Sequence, residues 1–182
     1  TLAFWVNPTS LGTWLELLCD CDPSPSNGIK GWNLETGSSN ASQLQLRLWD
    51  GSNSFASLSS SAGALAPGEW QHITLVAEGL TTAGDHTVSV SYYRNGELLN
   101  TATTSVNRQV ADDSAGFTIG NAMWDQSLMA QYGAVTLFDG ALTADQVEHH
   151  YLSTIPEPGS LAMVGLLVGL GLCSRRRRIW PP

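Results

Sequence analysis

The chain has 182 residues, of which 42% are hydrophobic and 13% are charged. This length fits one domain, and the charged share is about half the usual ~25%. Residues 1–154 hold four basic and fifteen acidic residues, a net charge of −11, which excludes a domain that binds nucleic acid through its phosphates. Three cysteines are too few for a disulfide-dense scaffold or a four-cysteine zinc site.

Short strand patterns separated by turn residues run through most of the chain. The Asp50-Gly51 and Asn95-Gly96 pairs are hairpin signals, since such pairs accept positive φ. No alternation of strands with helices is present, so the sequence predicts an all-β, antiparallel two-sheet sandwich. The predicted strands are Leu2–Val6, Trp14–Leu18, Lys30–Glu35, Gln43–Trp49, Ser54–Ser59, Trp70–Ala77, Thr87–Arg94, Glu97–Ser105, Gly116–Gly120 and Tyr132–Phe138.

One segment near the end of this region has a helical pattern. Thr143 is an N-cap residue, and Ala144, Val147 and Tyr151 recur at the spacing of one helix face. The sequence therefore predicts a short helix from Thr143 to Tyr151, which closes a β domain at residues 1–152.

The C-terminal segment has the pattern of a short membrane anchor. Residues 153–160 form a proline-containing hinge, and 161–174 are apolar or small. Thirteen apolar residues reach about 20 Å as a helix, which is short of the ~30 Å hydrocarbon thickness. We expect a marginal transmembrane helix at 161–174, with residues 175–182 as an Arg-rich cytoplasmic tail. A buried core helix is the alternative, but the segment lacks a polar face.

The same segment resembles the PEP-CTERM sorting signal of Gram-negative bacteria. The resemblance rests on the order of three parts in residues 155–178: Pro156-Glu157-Pro158, the apolar span, and Arg175, Arg176, Arg177 and Arg178. It implies export, a transient stay in the inner membrane, and processing near Pro-Glu-Pro by an exosortase-type membrane protease. The product would then reach the cell surface or an exopolysaccharide-rich extracellular matrix.

Five segments of the β region follow one another in a characteristic order: Phe4–Pro8, Pro67–Val76, Tyr93–Leu98, Phe117–Gly120, and Gly133–Phe138 with Ala141–Val147. In this order they resemble the motifs of a LamG-like domain of the concanavalin A-like lectin/glucanase superfamily. The resemblance implies a jelly-roll sandwich over residues 2–152 that binds a polysaccharide or a surface protein. Members begin one strand earlier, so we expect an N-terminal strand and a signal peptide before Thr1.

Tryptophan and histidine side chains supply the first candidates for a binding site. Trp32 and Trp124 flank loops, and an indole face suits the C–H face of a sugar, so both are candidate stacking residues; partial burial in the core is the alternative. Trp5 and Trp70 are predicted core residues. His72 is two residues after Trp70 and is predicted to be a buried histidine on the same strand face.

Calcium is the predicted ion, because LamG-like domains often hold one and hard oxygen ligands suit it. The candidate ligands are Asp20, Asp22 and Asn27, with residues 112–113 as a second acidic pair; a solvated acidic loop is the alternative. Cys19 and Cys21 are either a strained disulfide, free thiols or partners of another chain.

Catalysis is not expected from this sequence. Glycoside hydrolysis needs two carboxylates about 5–10 Å apart, and the nearest arrangement on one strand is Glu16 with Asp20. No G-x-S-x-G elbow is present. The sequence therefore favours a non-enzymatic binding protein at the cell surface. A glycoside hydrolase of the same superfamily and a purely structural biofilm matrix protein are the alternatives.

Overall fold

The computed structural model describes residues 1–22, 29–51, 54–80, 82–107, 110–111, 116–120 and 126–155. They form two five-stranded antiparallel sheets, with strand orders β10-β1-β6-β7-β8 and β5-β4-β3-β2-β9, so the predicted sandwich is confirmed. The strands are β1 Leu2–Pro8, β2 Glu16–Asp22, β3 Lys30–Thr36, β4 Leu44–Asp50, β5 Ser54–Ser59, β6 Gln71–Glu78, β7 His86–Arg94, β8 Glu97–Val106, β9 Thr118–Ile119 and β10 Ala130–Leu137.

Leucine side chains define the inner face of the second sheet. Leu18, Leu34, Leu46 and Leu58 are consecutive partners across β2, β3, β4 and β5, and each is buried. Each buried leucine contributes roughly 1.5–3 kcal/mol relative to exposure to water. The first sheet contributes its own buried residues to the same core: Phe4, Ile73, Leu75, Val88, Val90 and Tyr92.

The Asn95-Gly96 hairpin is confirmed. Asn95 has φ 53° and Gly96 has φ 83°, the two positive values that a tight hairpin turn requires, and β7 pairs with β8 on either side. The turn is also tied to the sheet, because the backbone N–H of His72 donates to Asn95 Oδ1 at 2.9 Å.

The prediction that Trp70 anchors the core is wrong. The Trp70 side chain is 43% exposed, and β6 begins one residue later, at Gln71. The buried Gln71 amide holds the preceding turn instead: its oxygen accepts from the Ala66 N–H and its nitrogen donates to the carbonyls of Ala66 and Glu69, each at 2.7 Å. A side chain that satisfies three backbone groups takes the buried position.

The helix α1, Ala144–Thr154, packs on the outer face of the first sheet. Thr143 is its N-cap, as predicted, and completes a capping box with Gln146. Val147 is buried in a small cluster with Val76 and Tyr93. Because α1 ends at Thr154, the chain leaves the sandwich from the surface of this sheet.

Several predictions concern residues outside the described part: the hinge from residue 156 onward, the span at 161–174 and the tail at 175–182. No helix in the described residues is long and apolar enough to span a membrane.

The hydroxyl of Tyr92 connects the two sheets, which gives a first prediction. It donates to the carbonyl of Leu58 at 2.6 Å and accepts from the N–H of Leu46 at 3.3 Å. We expect Tyr92→Phe to lower the free energy of unfolding by about 1 kcal/mol, because two buried backbone groups lose a partner. Tyr93→Phe is the matched control with an expected change near zero. Equal effects in urea unfolding would contradict this role.

Candidate functional site

The outer face of the second sheet carries polar side chains, whereas its inner face carries leucines. Cys19, Asn33, Arg47 and Ser57 are consecutive partners across β2 to β5, and cross-strand partners point to the same side of a sheet. Strand alternation places Glu35, Gln45 and Trp49 on this same side. Buried polar groups therefore collect on a face that a simple sandwich leaves to solvent.

Four of these side chains form a closed ring of interactions. Trp49 Nε1 donates to Asn33 Oδ1 at 2.8 Å, and Asn33 Nδ2 donates to Glu35 Oε2 at 3.3 Å. Arg47 Nε lies 2.8 Å from Glu35 Oε1. The Arg47 guanidinium carbon lies 5.8 Å from the Trp49 ring centroid, which closes the ring. We call Asn33, Glu35, Arg47 and Trp49 the polar ring.

Burial strengthens the electrostatic interactions within the polar ring. Asn33 and Glu35 are buried, and burial raises the pKa of Glu35, while Arg47 and the Asn33 amide oppose that rise. A buried carboxylate is costly unless it is paired and hydrogen-bonded. The ring supplies both partners and so holds Arg47 in one orientation.

Trp14 lies over the polar ring and is the exposed aromatic residue of this face. The Arg47 guanidinium carbon is 4.4 Å from the Trp14 ring centroid, a cation–π distance, and 36% of the Trp14 surface is exposed. Trp14 has φ 63°, a left-handed conformation that is strained for a bulky residue and is often found at functional sites.

Hydrogen bonds on both sides hold Trp14 in this conformation. The N–H of Leu15 donates to Thr36 Oγ1 at 2.8 Å, and Thr36 Oγ1 donates to the carbonyl of Gly12 at 2.6 Å. The predicted start of the second strand at Trp14 is therefore wrong, since positive φ is incompatible with a strand. The result is a preorganised indole beside a fixed guanidinium, and we call this pair the Trp14–Arg47 platform.

The stacking residues predicted from the sequence lie elsewhere. Trp32 packs against the inner core, and its ring centroid is 6.0 Å from that of Phe117. It lines a largely apolar cavity of about 130 Å³ between the sheets, together with Leu46 and Leu75. Trp124 lies outside the described residues.

The calcium site stays a prediction. Asp20 lies on β2 opposite Trp32, while the Asp22 side chain, Asn27 and residues 112–113 lie outside the described part. The described residues bring together one group of three potential metal ligands, Glu16, Cys19 and Cys21. Cys19 and Cys21 are joined as a disulfide, so this group lacks thiolates, and its sulfur atoms do not suit calcium.

The carboxylate pair considered for hydrolysis is separated by a bulge in β2. Glu16 is opposite Glu35, but Leu18 is already opposite Leu34, so one extra residue breaks the alternation between Glu16 and Asp20. The fold instead makes Glu16 and Glu35 cross-strand neighbours, and both are buried. A search for acids along one strand misses a pair that forms between strands.

A second polar cluster lies beneath α1. His72 is fully buried, as predicted, and its Nε2 lies 3.2 Å from Nδ1 of His150. The rings of Trp5 and Tyr151 pack against it at 5.2 and 5.7 Å between centroids. Burial, with a smaller contribution from His150, lowers the pKa of His72 to about 4.

Trp5 connects this cluster to the end of the helix. Its side chain is buried, as predicted, and Trp5 Nε1 donates to Thr154 Oγ1 at 3.2 Å. Thr154 Oγ1 in turn donates to the carbonyl of His150 at 2.8 Å. The last turn of α1 is thereby attached to β1.

Sequence comparison matches two parts of the chain. Residues 1–148 match the concanavalin A-like lectin/glucanases superfamily, and residues 154–178 match the PEP-CTERM protein-sorting motif. A comparison with curated proteins gave no match. The sorting motif begins at the last residue of α1 and indicates export and surface localisation.

Solved structures with this fold include binding domains of larger proteins. The CBM40 of the Ruminococcus gnavus IT-sialidase has a TM-score of 0.59 at 15% identity, covering 82% of this chain and 80% of that one. Its complex with α2,3 sialyllactose has a TM-score of 0.58 at 14% identity, with the same coverage. The receptor-binding domain of botulinum neurotoxin type G has a TM-score of 0.55 at 16% identity, covering 82% of this chain and 36% of that one.

These structural similarities have low sequence identity and support the fold alone, whereas the family match spans most of the chain. The two-sheet sandwich and the matched residues lead to one conclusion. The chain belongs to the concanavalin A-like lectin/glucanases superfamily and carries a PEP-CTERM protein-sorting motif directly after its sandwich.

Proposed function

We propose that this chain is an exported, non-enzymatic glycan-binding protein whose binding site is the Trp14–Arg47 platform. The observation that carries the proposal is the exposed Trp14 indole, fixed at positive φ over the Arg47 guanidinium. An aromatic face packs against the C–H face of a sugar ring. Adjacent fixed polar groups supply the hydrogen bonds that orient a ligand.

The nature of the structural neighbours supports a binding role. One is a carbohydrate-binding module seen with α2,3 sialyllactose, and another is the receptor-binding domain of a neurotoxin. Both are binding domains by name, and the part that matches this chain covers 80% of the first and 36% of the second. We expect this chain to use the same fold for glycan binding, with different side chains at the site.

The burial of the acidic pair favours binding over hydrolysis. Glycosidases need two carboxyl groups that reach the scissile bond. Glu16 is 2% and Glu35 is 3% exposed, and Glu35 is held by Arg47 and Asn33. A sugar on this face would contact the Trp14 indole and the edge of Arg47 before it reached either carboxylate.

The C-terminal motif supports the proposed route to the surface. Pro156-Glu157-Pro158 would be the processing site of an exosortase-type protease, the span at 161–174 a transient inner-membrane anchor, and Arg175 to Arg178 its cytoplasmic stop. The sandwich would then be released or transferred to the cell surface or matrix. A mature protein that kept an intact tail, in a host with a functional exosortase, would contradict this route.

The binding site is tested by exchanging tryptophans. We expect Trp14→Ala to weaken glycan binding about fivefold, since a sugar–indole contact is worth about 1 kcal/mol. Trp70→Ala is the matched control, because Trp70 is another exposed tryptophan and lies directly before β6 of the opposite sheet. Binding to a panel of bacterial and plant polysaccharides is measured by calorimetry, with and without calcium.

The outcomes of this experiment distinguish the glycan-binding, hydrolase and structural hypotheses. Equal loss in both variants would contradict the assignment of the site to Trp14. Release of sugar fragments would support the hydrolase, and no binding to any glycan by the wild-type protein would favour a structural matrix role.

A further inference from the structure

Arg47 contacts Glu35 through one edge of its guanidinium, with Nε 2.8 Å from Oε1. This contact leaves the four N–H bonds of the two terminal nitrogens. Within the part of the chain that the structure describes, these four N–H bonds have no hydrogen-bond partner. The side chain is 20% exposed, so part of it remains accessible beside Trp14.

The guanidinium is held rigidly on three sides. Trp14 covers it at 4.4 Å and Trp49 lies at 5.8 Å, while Glu35 fixes the Nε edge. An arginine in solution loses up to ~2 kcal/mol of rotamer freedom when it is ordered by a ligand. Here the polar ring has ordered it in advance, which lowers the cost of binding.

The terminal N–H groups of the Arg47 guanidinium determine which ligand the platform prefers. A guanidinium fork presents two parallel N–H bonds, which match the two oxygens of a carboxylate. A neutral hydroxyl can use only one of these donors at good geometry. The indole beside the fork supplies the surface for the ring that carries the acid.

The other described cations do not offer this combination. Arg94 Nη1 donates to the carbonyl of Gly63 at 2.9 Å, and its Nη2 lies 3.7 Å from Glu69. Lys30 is the first residue of β3 and has a point charge instead of a fork. Arg47 is the described cation that combines an open fork with an aromatic surface.

We propose that the Trp14–Arg47 platform selects carboxylated sugars. The ligand carboxylate binds the terminal nitrogens of Arg47, and the sugar ring packs on Trp14. This inference rests on the proposed function, because it assigns the ligand class of the same site. Glu35 is a positioning residue, since it orients the fork and does not contact the sugar.

The test compares each acidic polymer with its own carboxyl-reduced form, in which –COO⁻ has become –CH₂OH and the rest is unchanged. Polygalacturonate represents uronic acids and polysialic acid represents nonulosonic acids. We expect the wild-type protein to bind at least one acidic polymer about tenfold more tightly than its reduced form. Such a preference for one polymer and not the other identifies the source of the carboxylate.

Arg47→Lys separates the carboxylate contact from the sugar contact. The variant keeps the charge beside Glu35 and removes the fork, so we expect the acid preference to fall to about twofold, because the acidic polymer loses more affinity than its reduced form. Arg94→Lys is the matched control and keeps the full preference. If Arg47→Lys unfolds, chemical shifts of the Arg47 Nη protons of the wild-type protein on addition of the acidic polymer give the same information.

The possible failures are distinguishable. Equal binding of acidic and reduced polymers, or binding of neutral glycans alone, overturns the carboxylate assignment and leaves the glycan-binding site in place. Absence of binding to every glycan, acidic or neutral, overturns both. A preference that survives Arg47→Lys overturns the role of Arg47.

Discussion

Glu35→Ala is expected to lower the free energy of unfolding by about 3 kcal/mol. The substitution removes the carboxylate that pairs with Arg47 at 2.8 Å and accepts from Asn33 at 3.3 Å. It leaves a mostly buried guanidinium without its partner and an amide without its acceptor. Breaking one side of a buried ion pair costs ~3–5 kcal/mol, and the partial exposure of Arg47 favours the lower end.

Glu69→Ala is the matched control for this experiment. Glu69 pairs with Arg94 at 3.7 Å, and its side chain is 69% exposed. Exposed ion pairs contribute about 0–1 kcal/mol, so we expect a change below about 0.5 kcal/mol. Both variants are compared by guanidinium unfolding. Similar effects of the two substitutions would mean that the polar ring does not stabilise the sheet.

Acidification is expected to destabilise the attachment of α1. The pKa of His72 is about 4 in the folded protein, against 6.5 for a free histidine. The unfolded chain therefore binds the proton more readily between pH 6.5 and 4, and stability falls as the pH decreases through this window. His150, whose pKa is also lowered by burial, adds to the loss in the same direction.

Burial is the main reason that folded His72 resists protonation, and its contact with His150 adds to it. His72 Nε2 and His150 Nδ1 share one hydrogen bond at 3.2 Å, and protonation of both rings would direct two N–H groups at each other. We expect a loss of about 2 kcal/mol between pH 7 and pH 4, below the full value of a shift of this size because the ring can relax toward solvent.

NMR titration of the histidine rings and unfolding at pH 7, 5.5 and 4 measure this effect. His72→Gln keeps a polar side chain without a titrating ring, so the pH dependence in this window should shrink. His86→Gln, at the first residue of β7, is the control and should keep it. An unchanged pH profile in His72→Gln would contradict the assignment.

The strand pattern was predictable because it depends on local chemistry. Alternating leucines on residues 44–48 require a strand with one buried face, and Asn95-Gly96 requires a tight turn. Thr143 was identifiable as an N-cap for the same reason, since its side chain satisfies the N–H of Gln146 three residues away. Each of these interactions acts over a few residues, so single-sequence reasoning captures it.

The candidate site was not predictable in this way. Gln45 and Arg47 were visible as the polar side of a strand, but nothing local indicates that Glu35 would reach Arg47 from the next strand. The sequence pattern places Trp14 in a strand, whereas the structure has Trp14 at positive φ over Arg47. The hydrogen bonds of its neighbours Leu15 and Gly12 with Thr36 hold this conformation. The exposure of Trp70 likewise depends on the buried amide of Gln71.

The sequence by itself determined the fold class, the hairpins, the capped helix and the order of sandwich and sorting motif. Those features arise from residue types and their spacing along the chain. The tertiary structure decided which polar residues meet: the ring around Arg47, the imidazole pair beneath α1, and the separation of Glu16 from Asp20 by a bulge. The physical reason is that strand register and sheet packing join residues that are far apart in sequence, and one inserted residue reverses the face on which a side chain lies.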